Sequence, residues 1–200
     1  YSPLSDADAN RRPLSPADGE AIARLAPSVR DVGVQLIVPV VTGTRTLTAR
    51  ADGGEADSIL VEGVAPNFFD VTDADFAAGR PFTDVENRVA ASVAVLGANV
   101  ARALFGDTNP VGRTFLLAGE RYTTIGRLAP RRGTFFGENR NDNVISIPVR
   151  TAQRRFPDAE QTVLYARAKP GQRDRARVDT EVVLRLVRKL PPGVKNDFNL

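Results

Sequence analysis

A chain of 200 residues with 42% hydrophobic content can bury one sizeable core or two small ones. It contains no Cys and no His, which excludes disulfides, thiolate and imidazole chemistry and nearly all zinc or copper sites. Charge is divided unevenly, because residues 1–100 hold 8 basic against 14 acidic residues (net −6) and residues 101–200 hold 19 against 10 (net +9). A basic half reads either as a solvated surface or as a face for an anionic partner. Scattered Arg residues, with no stacking motif around Tyr1, Tyr122 and Tyr165, speak against nucleic acid. No run approaches 18 uncharged apolar residues and no basic segment leads into an apolar one at the start, so neither a membrane span nor a signal peptide is expected within these residues.

Residues 1–13 lack periodicity and read as a mobile lead-in. Ser15 as N-cap, Pro16 at the first helical position and Asp18 in the first turn predict a helix with Ala21, Ile22 and Leu25 on its apolar stripe, ended by Pro27. Alternation through Val32, Val34, Leu36 and Val38 predicts a strand over 31–38 with one buried face. Residues 44–51 and 58–64 read as two strands joined by the turn Asp52-Gly53-Gly54. Phe68 and Phe69, near a proline turn, are expected core anchors, each contributing roughly 1.5–3 kcal/mol on burial. Residues 93–96 predict a buried strand stopped by Gly97. A helix follows, capped by Asn99, with Val100, Ala103 and Leu104 on one face and Gly106 at its end. Residues 113–117 and 121–128 flank Ala118-Gly119-Glu120 as a hairpin. Residues 131–143 read as a long loop, 144–148 as a strand, 149–156 as a short helix and 162–168 as a strand. Spacing predicts a helix over 174–190 with Val178, Val182, Val183, Leu186, Val187 and Leu190 on one face, and residues 197–200 begin a further strand.

Three groups of residues carry a family resemblance. One is Val93-Ala-Val-Leu-Gly97, the helix end Ala103-Leu-Phe-Gly106 and Asn109-Pro-Val-Gly-Arg113 before the hairpin. A second is Val61-Glu-Gly-Val-Ala-Pro-Asn-Phe-Phe69 followed by Gly79-Arg-Pro-Phe82, and the third is Ile147-Pro148 with Thr151-Ala152-Gln153. On these residues the chain resembles the periplasmic core domain of MacB-type ABC transporter permeases. The resemblance implies an α+β fold. In it a porter-like subdomain of ferredoxin-like βα and βαβ units forms from both chain ends, 14–64 and 149–200, and a strand-rich sabre-like subdomain, 65–148, is inserted. One departure is that the first porter strand is not evident within residues 1–13, which would leave a sheet edge open to pairing with another chain.

The same resemblance implies a function. The chain would be a non-catalytic extracytoplasmic domain of an ABC transporter permease, anchored in the cytoplasmic membrane through flanking transmembrane helices. It would couple ATP-driven motion to export or handling of a substrate outside the membrane. Its implied partners are an ATP-binding subunit or domain of the same transporter and a periplasmic adaptor or second permease copy. The alternative is a stand-alone extracytoplasmic binding module for an anionic or amphiphilic ligand, and a hydrolase ranks third.

No pattern of residues indicates catalysis or a cofactor. Asp70, Asp73 and Asp75 lack the glycine and distal glutamate of an EF-hand, and 139–143 is read likewise, as a turn and not a metal loop. Ser and Thr have no histidine base, no Ser-x-x-Lys occurs, and no glycine-rich phosphate loop is present. The candidate contact site is Phe135 with Phe136, lying between Gly133 and Gly137 and flanked by Arg131, Arg132 and Arg140. Two readings stay open: an apolar tip with a basic rim for a partner or amphiphilic substrate, or rings that fold back under the loop.

Overall fold

The computed structural model describes residues 12–39, 41–42, 45–130 and 142–200. Most of the expected lead-in and of the 131–143 loop lies outside them. Helix α1 (Pro16–Leu25) starts as its sequence dictates: Ser15 Oγ accepts the Asp18 N–H at 3.3 Å and the Asp18 carboxylate accepts the Ser15 N–H at 2.8 Å. This reciprocal capping satisfies two otherwise orphaned donors. Strand β1 (Val29–Ile37) follows, with Val32, Val34 and Leu36 buried on the face that α1 covers.

The chain then forms β2 (Val41–Thr42), β3 (Arg45–Thr46), β4 (Ala49–Ala51), β5 (Gly54–Ala56), β6 (Leu60–Val64), α2 (Phe68–Val71), β7 (Phe76–Gly79) and α3 (Asp84–Arg88). After these come β8 (Val93–Leu96), α4 (Ala98–Phe105), β9 (Thr114–Leu117), β10 (Glu120–Leu128), β11 (Val144–Pro148), α5 (Val149–Arg155), β12 (Gln161–Ala168) and α6 (Arg173–Val187). Among the described residues, ten strands join in one mixed sheet of order β12-β1-β6-β11-β8-β10-β9-β4-β5, with β7 also paired to β10. The pairs β6–β11 and β8–β10 are parallel and the others antiparallel.

The two ends of the chain are neighbours, since β1 and β12 pair from Val29↔Ala168 to Ile37↔Gln161. Ala21, Ile22, Val32, Val183, Leu184 and Phe198 share one buried cluster over that pair. A larger cluster joins α4 and α5 to the middle of the sheet through Leu104, Ala152, Ile145 and Ile147. The opposite face is covered by α2 and a third cluster that includes Phe68, Phe69 and Phe82. At β6 the close approach of sheet and helix requires glycine, because a Cβ on Gly63 would stand 2.3 Å from the Ala152 Cβ of α5. The β9–β10 hairpin turns through Ala118 and Gly119, both at positive φ, as a two-residue turn matching the strand twist demands.

Several expected elements differ. The turn at Asp52-Gly53 closes only the short hairpin β4–β5, whereas β6 crosses to lie between β1 and β11. The break falls at Ser58, which takes φ 53° and whose carbonyl accepts the Asn143 side-chain amide at 2.8 Å. The N-cap of α4 is Gly97 and not Asn99, and Ala101 replaces Ala103 on its buried face. Helix α6 ends at Val187 and buries Ala176, Thr180, Val183 and Leu184, leaving Val178, Val182 and Leu186 exposed. Residues 197–200 form no strand; Phe198 instead plugs the α1–α6 cluster.

Candidate functional site

On the face covered by α2, the segment Val61–Phe69 and the segment Gly79–Phe82 meet. Phe68 contacts Phe69 and Tyr165 edge-on at centroid distances of 5.7 and 5.4 Å, and Phe69 continues to Phe76 at 5.2 Å and Phe82 at 5.7 Å. Such offset ring pairs exceed simple area burial in stability. The rings border a cavity of about 460 Å³ lined also by polar side chains that run from exposed Tyr165 to buried Glu62. Tyr165 donates to the Gln35 carbonyl at 2.8 Å, the Gln35 amide donates to Glu62, and Ser146 Oγ donates to Glu62 Oε1 at 2.6 Å. Four strands, β12, β1, β6 and β11, are thus tied across the sheet by side chains. A carboxylate buried to 5% exposure needs such donors. The sequence signal for it was an acid at the centre of Val61-Glu-Gly-Val64.

Phe135, Phe136, Arg131, Arg132 and Arg140 lie outside the described residues, so the structure neither brings them together nor separates them. The strands that precede and follow that segment in sequence are β10 and β11, which flank β8. Of the acidic turn, Asp70 and Asp73 face Arg167, with Asp73 accepting at 2.8 Å and Asp70 3.5 Å away. Among the described residues no group of three potential ligands could hold a metal ion.

A buried ionic node missed at the sequence level joins both ends of the described chain. Arg188, with a side chain 1% exposed, donates to Asp197 at 2.7 Å through both Nε and Nη2, to the Pro13 carbonyl at 3.3 Å and to Asp18 at 3.4 Å. The hydrogen bond from Arg188 holds the Asp197 carboxyl below the usual carboxylate range. A second fork joins Arg80 to Glu86 at 2.8 and 2.9 Å, and with the Thr83 donors it lowers the Glu86 pKa to about 2.

On the other face, α1 and α5 leave a groove of about 750 Å³ above β1. Val32, Val34 and Ala65 lie at its floor and Arg88, Arg150 and Arg154 on one side. No sequence motif announced it, because its walls come from three separate helices.

An α+β domain built on this mixed sheet has the fold of the extracytoplasmic domains of ABC-type transporters. The extracellular domain of the noncanonic ABC-type transporter YknZ from Gram-positive bacteria superposes with a TM-score of 0.70 at 21% identity, covering 92% of this chain and 89% of that one. The periplasmic region of MacB from Actinobacillus actinomycetemcomitans gives 0.69 at 14% identity, covering 94% and 80%. The sequence matches the MacB-like periplasmic core domain over residues 2–181, and the chain belongs to that family. The macrolide export ATP-binding/permease protein MacB of Rhodospirillum rubrum is 33% identical over 140 residues, 70% of this chain and 20% of that protein. The pyoverdine export ATP-binding/permease protein PvdT of Pseudomonas aeruginosa is 35% identical over 96 residues, 48% of this chain and 14% of that protein. The chain spans at most about one fifth of these relatives' length. Membership of the family gives the domain an extracytoplasmic location, and no helix of the described residues is long and apolar enough to cross a membrane.

Proposed function

We propose that the chain is the extracytoplasmic part of an ABC exporter permease and transmits movement without catalysis of its own. Transmembrane helices of the same protein anchor it in the cytoplasmic membrane. ATP hydrolysis on a separate domain or subunit drives those helices, and the domain passes the motion to a substrate directly or through an adaptor. The observation that carries this reading is the family match across residues 2–181, with relatives named as ATP-binding/permease export proteins.

The Arg188 node supports a mechanical role. One guanidinium bonds Pro13 near one end of the described chain and Asp197 near the other, so displacements applied at the two ends enter the domain at one place. A hinge between the segments 14–64 with 149–200 and the segment 65–148 would turn that displacement into a swing. Strands β6 and β11 pair at Val64↔Pro148, where these segments meet, and the β4–β5 hairpin of the first segment lies against β9 of the second. Phe135 and Phe136, with Arg131, Arg132 and Arg140, are the proposed partner contact. Replacing both rings by Ser in the full-length transporter should abolish ATP-dependent export from membrane vesicles. The purified 200-residue chain should stay folded with the same change and hydrolyse no nucleotide. Unimpaired export, or nucleotide hydrolysis by the isolated chain, would overturn these assignments.

A further inference from the structure

We propose that the groove between α1 and α5 is a binding site for a soluble, single-chain anionic amphiphile, a carboxylate or sulfonate on an apolar body. Its volume of about 750 Å³ lies within the usual range of small-molecule sites. The floor is apolar and concave: Val32 and Val34 of β1 are each only 7% exposed at its base. The α1 wall presents Ala17 and Ala23, exposed small residues that leave room for an alkyl or aromatic body, while Gly19 lets the helix lie close on Val34. A bilayer cannot reach such a floor, whereas a single chain can lie along it.

The charge sits on the other wall. Arg150 and Arg154 stand one turn apart on α5, and the Asn87 side chain accepts the Arg150 backbone N–H at 3.2 Å, which fixes the end of α3 beside the start of α5 and brings Arg88 to the same rim. Among the described residues none of these three guanidiniums makes an ion pair or hydrogen bond, in contrast to Arg80, Arg167 and Arg188. An anionic head group takes charge-assisted bonds from this rim. Glu20 and Asp84 also line the groove. They disfavour an extended polyanion and orient a single head group toward α5. This assignment is independent of the exporter reading.

The test titrates the purified chain with dodecanoate below its micelle-forming concentration, followed by calorimetry and backbone-amide NMR. Saturable one-to-one binding is expected, with shifts confined to α1, α3, α5 and β1 around the groove. Arg150→Gln with Arg154→Gln should weaken binding by about tenfold or more, as loss of charge-assisted bonds implies. Ala23→Trp, at an exposed position, should block the site while leaving the melting temperature unchanged. Equal affinity for dodecyltrimethylammonium, insensitivity to these substitutions, or binding only to phosphatidylglycerol vesicles would overturn the proposal.

Discussion

Gly63 is the position where packing leaves least room, and Gly63→Ala tests whether sheet and helix are in fact pressed together there. The added Cβ would lie 2.3 Å from the Ala152 Cβ and 3.2 Å from the Val149 Cα, while ordinary contact begins at 3.4 Å, a shortfall of 1.1 Å at the first atom. Ala152 Cβ is one bond from its backbone, so no rotamer change relieves the clash and α5 itself must retreat. Overpacking of a dense interior costs about 1–3 kcal/mol, and the upper end applies because Val149 and Ala152 are both core residues. Removing the partner atom should help. Ala152→Gly alone costs about 2 kcal/mol, from helix propensity and one buried methyl. The double variant should then be more stable than the sum of the single effects by at least about 1 kcal/mol. Urea unfolding followed by circular dichroism measures all three. A neutral Gly63→Ala, or additivity within about 0.5 kcal/mol, would refute the close approach.

Leu184→Ala should cost about 2–5 kcal/mol and Leu186→Ala less than about 0.5 kcal/mol, since Leu184 is 1% and Leu186 66% exposed; equal losses in thermal unfolding would reverse the face assigned to α6. Thr124 Oγ1 is buried with no hydrogen-bond partner among the described residues, so Thr124→Val should leave stability unchanged or raise it by up to about 1 kcal/mol, and a marked loss would reveal a partner. Glu86 titrates at about 2 in the folded domain against an ordinary 4.5, mainly through the hydrogen bond from Arg80. Because the folded pKa is depressed, this contribution is complete above about pH 4.5 and fades as pH falls toward 2. With Arg80 half-exposed, the stability gap between the natural chain and Arg80→Gln should be on the order of 1–2 kcal/mol at pH 7 and close over that window. A gap that does not change with pH would assign the fork no electrostatic role.

Local chemistry made some elements legible and left others dark. The Ser15-Pro16 start and the Ala118-Gly119 turn could be read because cap and turn rules involve residues a few positions apart. The turn at Asp52-Gly53 was equally visible, but nothing local says that β5 ends at Ala56 and that β6 pairs elsewhere. In α6 two apolar stripes compete. The stripe Val178, Val182, Leu186 is more hydrophobic, yet the one with Ala176 and Thr180 packs, since those small side chains fit close against β12 and β1. Phe68 and Phe69 could be placed in the core from size alone, whereas Glu62 gains its meaning only from Gln35 and Ser146, which neighbouring strands bring to it. Arg150 and Arg154 fall one turn apart on the helix expected over 149–156, but Arg88 could not be joined to them in advance, because only the tertiary placement of α3 beside α5 does so.

A domain that conveys motion must stop working when its two segments are locked together in the assembled transporter. The 200 residues contain no Cys, so Ala17→Cys on the α1 wall, in the segment 14–64, and Asp84→Cys on the α3 wall, in the segment 65–148, introduce the domain's only thiols, one on each side of the proposed hinge. A short bismaleimide bridging them in the full-length protein, reconstituted with its ATP-binding component, would hold the two walls together. Bridged transporter should lose ATP-dependent export while each single-cysteine protein treated with the same reagent keeps it. Undiminished export by fully bridged protein would contradict it.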